Sequence, residues 1–181
     1  MNRIFEGVRP LDYVLAVLMT AGGAFLMYEN ITALGDGLAH PLSTQSWLVL
    51  PVFVLVTLPI LWRRRNILAV VGFTAVATAA HVLAFGWLTR CGVELPLSFA
   101  LAYAVARFAG TARNHIAGLA GVVVLQLVML ARDSSTGGII GALPLALPIA
   151  ALFYGIGLFV QNRVTRKQST PAAPVIERVA A

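Results

Sequence analysis

The stretch ILAVVGFTAVATAAHVLAFGWL, residues 67–88, contains no formal charge and a single imidazole, His81. A helix needs about 20 mostly apolar residues, rising 1.5 Å each, to cross a hydrocarbon layer roughly 30 Å thick. This segment meets that length and predicts a membrane-crossing helix. A basic run, Trp62-Arg63-Arg64-Arg65-Asn66, precedes it, and Arg90-Cys91-Gly92 follows it.

Working outward, five more apolar runs appear. Residues 11–28 carry Asp12 at their very start, and residues 47–62 are short but continuously apolar. Residues 93–108 hold Glu94, Pro96 and Arg107 near their ends, and residues 116–130 and 139–160 complete the set. The expectation is an all-α, polytopic membrane bundle of about six transmembrane helices within residues 1–167, followed by a mobile cytoplasmic tail over 168–181.

Composition agrees. The chain has 181 residues, 59% apolar and 11% charged, with a mean hydropathy of +0.87. A soluble domain carries roughly a quarter of its residues as charges. An ordinary soluble domain and a disordered chain are therefore excluded, and the lone Cys91 rules out a disulfide scaffold. The net charge of +6 would suggest nucleic acid in a soluble protein, but its placement gives another reading. With the N-terminus inside, Arg3, Arg9, Arg63, Arg64, Arg65, Arg107, Arg113, Arg163, Arg166, Lys167 and Arg178 share one side, leaving Arg90 and Arg132 outside. That asymmetry is what the positive-inside rule predicts for an N-in, C-in protein of the inner (plasma) membrane. Trp62 at one face and Trp47 and Trp87 at the other suit interfacial belts. Arg3 and Arg9 before an apolar run also resemble a signal peptide, but Thr20-Ala21-Gly22-Gly23-Ala24-Phe25 is a poor cleavage context, so residues 11–28 are read as a span.

Few side chains are left for chemistry. His81 falls about 21 Å along its helix, where an ionisable group is costly and often functional. Its plain reading is a neutral imidazole bonded to a neighbouring backbone or to Thr78; the sharper one is a proton-, metal- or ligand-sensing role. Glu94 opens the fourth span with Arg90 close enough to pair, and Asp12 starts the first, where an anion suits the helix dipole. Gln126, mid-span, predicts an interhelical hydrogen bond. Arg63, Arg64 and Arg65 predict an anchor to anionic headgroups, each worth about 1 kcal/mol. Small residues at four-residue spacing (Ala117 and Gly121, Gly137 and Gly141, Ala151 and Gly155), with Gly72, Ala75 and Ala79 on another face, predict close helix approach. Pro144 and Pro148 predict a kink. Asn30-Ile31-Thr32 matches a glycosylation acceptor by three letters only. No phosphate loop, HExxH, GxSxG or CxxC occurs, so neither a catalytic set, a cofactor nor a metal site is expected.

One resemblance is carried by Leu11-Asp12-Tyr13, by Leu58-Pro59-Ile60-Leu61-Trp62-Arg63-Arg64-Arg65 running into Ile67-Leu68-Ala69-Val70, and by Tyr103-Ala104-Val105-Ala106-Arg107. In this order of features the chain resembles the membrane-spanning N-terminal sensor region of actinobacterial two-component histidine kinases, over most of residues 8–167. In those kinases the last span leads into a stalk, a phosphoacceptor helix and an ATP-binding domain. Here Gln168-Ser169-Thr170-Pro171-Ala172-Ala173-Pro174 follows, and His115 has no phosphoacceptor context. The resemblance thus implies a non-enzymatic sensor or regulatory module, answering an envelope or lipid signal or a membrane partner such as a kinase or transporter. A small transporter or channel subunit working as a homo-oligomer is the alternative.

Overall fold

The computed structural model describes residues 7–32, 37–135 and 138–169, with side chains through Arg166. Arg3, Gly137, Arg178 and the tail from residue 170 lie outside them. The chain is an all-α bundle. Helix α1 (Pro10–Thr32) opens with proline at its first position, where a missing N–H costs nothing. The Asp12 carboxylate reaches back to accept the Arg9 N–H at 2.9 Å. Helix α2 (Val49–Thr57) passes into a 3-10 segment, Leu58–Trp62; Pro59 cannot extend the α-helical ladder. Helix α3 (Ile67–Phe85) is capped by Asn66, whose side chain accepts the Ala69 N–H at 3.1 Å. It ends at Gly86, at φ +66°, where a Cβ would sit 2.7 Å from Ser43 Oγ. Helix α4 (Cys91–Phe108) and helix α5 (Ala112–Leu130), capped by Thr111, follow. Helix α6 (Gly138–Ser169) runs unbroken through Pro144 and Pro148.

Five of these helices are long and apolar enough to cross a membrane. The second expected span is not among them, because Val49–Trp62 is shorter, rising only about 23 Å. It still joins both ends of the bundle. Its first carbonyl, on Val49, lies 3.3 Å from His81 Nε2, while Arg63, just past its last residue, is 2.8 Å from Asp12 at the start of α1.

Several expected boundaries shift for local reasons. The first span continues four residues past Tyr28 because Asn30 is buried rather than looped: its amide donates to Leu26 O and Thr89 O, both at 2.9 Å. The fifth helix begins at Ala112 rather than 116 because Thr111 caps it. The sixth extends to Ser169, nine residues beyond Val160.

Helix α4 lies at the centre. Leu97, Leu101, Ala102, Ala104 and Val105 are fully enclosed, with α6, α5 and α1 packed around it. Outward faces are apolar: Ile140 is 89% exposed, Leu83 76% and Leu11 69%. So large an apolar surface is intolerable in water and natural in lipid; this is a membrane protein.

A close seam against backbone involves a glycine outside the expected small-residue stripes. A Cβ on Gly157 of α6 would fall 2.7 Å from the Tyr103 carbonyl oxygen and 2.6 Å from Ala106 Cβ on α4. Of the stripe residues, Gly121 does pack against Val71, at 2.5 Å from a notional Cβ, whereas Gly72, Gly141 and Gly155 face nothing within 4 Å. Gly157→Val is expected to destabilise the detergent-solubilised protein by about 1–3 kcal/mol through overpacking against a backbone that cannot yield. Gly155→Val, two residues away, should leave the thermal midpoint unchanged. Equal midpoints for both variants would contradict this packing.

Candidate functional site

Polar residues recur on two apolar helices at helical spacing. On α3, Thr74, Thr78 and His81 stand at i, i+4 and i+7; on α4, Glu94 and Ser98 stand one and two turns beyond Arg90. Each set therefore forms one stripe. The chain reverses between α3 and α4, and Gln126 of α5 closes the third side. All seven of these side chains are buried, at 0–1% exposure.

The stripe ends at a loop cluster opposite the basic end of the bundle. Leu88 and Asp133 form an isolated bridge, the Ser134 N–H donates to Leu88 O at 3.1 Å, and the Trp87 N–H donates to Ser43 Oγ at 2.8 Å. Beneath these loops lies Arg90, wholly enclosed. Its Nε–H donates to His81 Nδ1 at 3.0 Å, and its terminal nitrogens donate to Arg132 O and Gly86 O, each at 2.9 Å. Its backbone N–H and that of Cys91 donate to Asp133 Oδ2 at 2.7 and 2.8 Å. Burial pulls the Arg90 pKa below its ordinary value, while Glu94 and Asp133 act in the opposite sense; a guanidinium remains a cation regardless.

These contacts assign the His81 tautomer. Arg90 can only donate, so Nδ1 must carry a lone pair, and the ring proton sits on Nε2, facing Val49 O. His81 is a neutral imidazole locked between α2 and Arg90, with the Phe53 and Phe85 rings against it.

Glu94 differs from its sequence reading. Arg90 does not bond it, because the guanidinium is directed to His81 and to backbone carbonyls. Both Glu94 carboxyl oxygens are buried and outside strict hydrogen-bond geometry, with the Thr78 hydroxyl facing them as the nearest donor and the Arg90 charge close by. Thr74 Oγ1 and Gln126 Oε1 are buried without a hydrogen-bond partner. Gln126 does make the expected interhelical bond, from Nε2 to Ser98 Oγ at 2.9 Å.

At the basic end the arginine run is also re-read. Asp12, 0% exposed, holds Arg63 at 2.8 Å and Arg64 at 2.6 Å. Arg64 also lies 5.0 Å from the centre of the Phe108 ring. Two of the three expected headgroup ligands are thus engaged inside the protein. Arg65 stays exposed.

The structure brings His81 and Glu94 to one neighbourhood through Arg90 and adds Gln126 by way of Ser98. Sequence reasoning missed Asp133, Thr74 and Ser98. The i, i+4, i+7 polar spacing on an otherwise apolar helix was the available signal for Thr74. Among the described residues, no three of His, Cys, Asp and Glu gather as a metal would require. Comparison with known proteins returns no matching family model, no matching curated protein and no matching solved structure.

Proposed function

We propose that this is a sensor-like or regulatory subunit of a bacterial plasma membrane, oriented N-in and C-in, without catalytic chemistry of its own. The observation that carries the reading is the position of α4. Its first turn holds the buried Arg90–Glu94 cluster under the loops, and its second half comes close to α6, the Tyr103 carbonyl lying against Gly157. Helix α6 spans 32 residues, about 48 Å at 1.5 Å each, well beyond a hydrocarbon layer of roughly 30 Å. A change at the loop end would shift α4, and α4 would carry α6 with its exposed basic end. The resemblance to kinase sensor regions supports the same reading. Co-purification from mild detergent is expected to recover a reproducible membrane partner, weakened by Gly157→Val, and gene deletion should alter transcription. A chain that emerges alone, with transcription unchanged on deletion, would overturn it.

A second reading, a small transporter working as a homo-oligomer, is favoured by one observation: the fully buried Glu94 at the loop end of α4, since carboxylates within a membrane bundle mark ion pathways. Solute flux into proteoliposomes that collapses in Glu94→Gln and His81→Ala supports it; flux indifferent to both removes it.

A further inference from the structure

We propose that a groove beside the 3-10 segment holds one acyl chain of an anionic phospholipid, with its phosphate against Arg65 and Asn66. The site requires only a membrane around the bundle and depends on neither functional reading above.

The cavity is the first ground. It lies between Leu58–Trp62 and the first two turns of α3, with a volume of about 310 Å³, within the usual range of ligand pockets. Pro59 and Val70, both buried, form its base, and Trp62 and Phe73 line it above them. Sequence spacing accounts for the opening. Asn66, Ala69 and Phe73 share one face of α3, and the short Ala69 side chain leaves room that a longer one would fill. Phe73 is 55% exposed, so the groove opens onto lipid rather than into the bundle core.

Depth is the second. From Asn66 to Phe73, α3 rises about 10 Å at 1.5 Å per residue. The groove therefore starts at the basic end, at headgroup level, and runs into hydrocarbon. Its polar lining residues, Arg65 and Asn66, both stand at that end. An apolar trough with donors at one end matches an acyl chain below a phosphate.

Charge decides which phospholipid. Lipid tails are as apolar as leucine, so apolar contact alone gives little preference among lipids. The headgroup must supply it. Among the described residues of this end, Asp12 is the carboxylate, and it offsets one of the three charges in the arginine run. Arg65 places an exposed guanidinium at the mouth, and its fork geometry suits phosphate. Asn66 spends its side-chain oxygen on the Ala69 N–H, which leaves its NH2 group as the donor it can offer a ligand. The positive end of the α3 dipole faces the same level. All three favour an anionic headgroup over a zwitterionic one.

The test follows Trp62 fluorescence in the full chain carrying Trp47→Phe and Trp87→Phe, reconstituted in phosphatidylcholine vesicles. Chain-brominated phosphatidylglycerol, which quenches an indole it touches, is added in rising fractions, with brominated phosphatidylcholine as the reference. The expected result is about a fivefold preference for phosphatidylglycerol, what one basic contact supplies. Arg65→Gln should bring the two lipids near parity. Asn66→Asp keeps the helix cap but sets a carboxylate at the mouth, and should erase the preference. Ala69→Phe, at an exposed position, fills the groove and should do the same. Arg113→Gln, an exposed cation outside the groove, should keep it. Native mass spectrometry of the unaltered chain, expected to retain one phosphatidylglycerol, makes the comparison without the tryptophan replacements. Equal quenching by both lipids would overturn the site, as would a preference that survives Ala69→Phe or Asn66→Asp. So would quenching by neither lipid, the result if a second copy of the chain covers the groove.

Discussion

Arg90→Met is expected to destabilise the protein by about 3–5 kcal/mol, the usual result of removing one partner from a buried charged network. Methionine fills much of the same volume, so the loss reports the interactions. Without the guanidinium, the Gly86 and Arg132 carbonyls and His81 Nδ1 lose their donors together, while Glu94 and Asp133 stay buried with no cation beside them. Arg90→Lys should rescue little, because one ammonium cannot address an imidazole and two carbonyls in the fork geometry that arginine provides. The exposed neighbour Arg132 is the internal control: its carbonyl, not its side chain, serves Arg90, so Arg132→Met should stay within about 0.5 kcal/mol of wild type. The surviving monodisperse fraction after a heat ramp, read by size-exclusion chromatography in detergent, separates these variants. Matching curves for the Met substitutions at 90 and 132 would show that the loop cluster carries no structural weight.

Asp12→Ala should have the next largest effect, a loss of about 3 kcal/mol. Arg63 is buried, at 9% exposure, and Asp12 at 0% is its counter-charge. Removing the carboxylate strands Arg63 in a region it occupies only as half of a pair, and releases Arg64 from the contact that holds it near Phe108. The start of α1 also loses the acceptor for the Arg9 N–H. The double variant Asp12→Ala with Arg63→Met is expected to regain a good part of the loss, since the orphaned charge leaves with its partner. Simple additivity of the two single effects would mean that the pair is not coupled. Arg65→Met, on an exposed residue, should barely register.

How far these features can be read from sequence depends on the distance over which each is determined. Residues 67–88 announce a helix because every position except His81 is apolar or small, and that local fact survives folding with only the turn from Gly86 trimmed away. The weakness of residues 47–62 is equally local: two prolines, Pro51 and Pro59, sit in a short run, and the structure resolves it into a helix and a 3-10 segment. The Asp12–Arg63 pair spans 51 residues and is invisible to periodicity, although the charge asymmetry already placed both at one end. His81 and Arg90 were each noticed singly, and their contact depends on how sharply the chain turns at Gly86. Asp133 was the least legible, because an aspartate in a short link looks like any solvated loop residue until Leu88 pairs with it. The polar seam is a tertiary product: i, i+4 spacing puts residues on a face, but only packing decides which face meets which.

The shortness of Val49–Trp62 reaches beyond the bundle. This segment presents Leu55 and Leu58 outward, with exposed Trp47 and Leu48 just before it and Trp62 at its end, over a height of only about 23 Å. Hydrocarbon of roughly 30 Å does not match that flank, and mismatch of this kind costs fractions of a kcal/mol per Å. Surrounding lipids must compress there while they meet α6 at full length on another side. The protein therefore imposes an uneven thickness on its annulus. Short-chain lipids should gather beside that flank, and thinner bilayers should hold the protein more readily than thick, ordered ones.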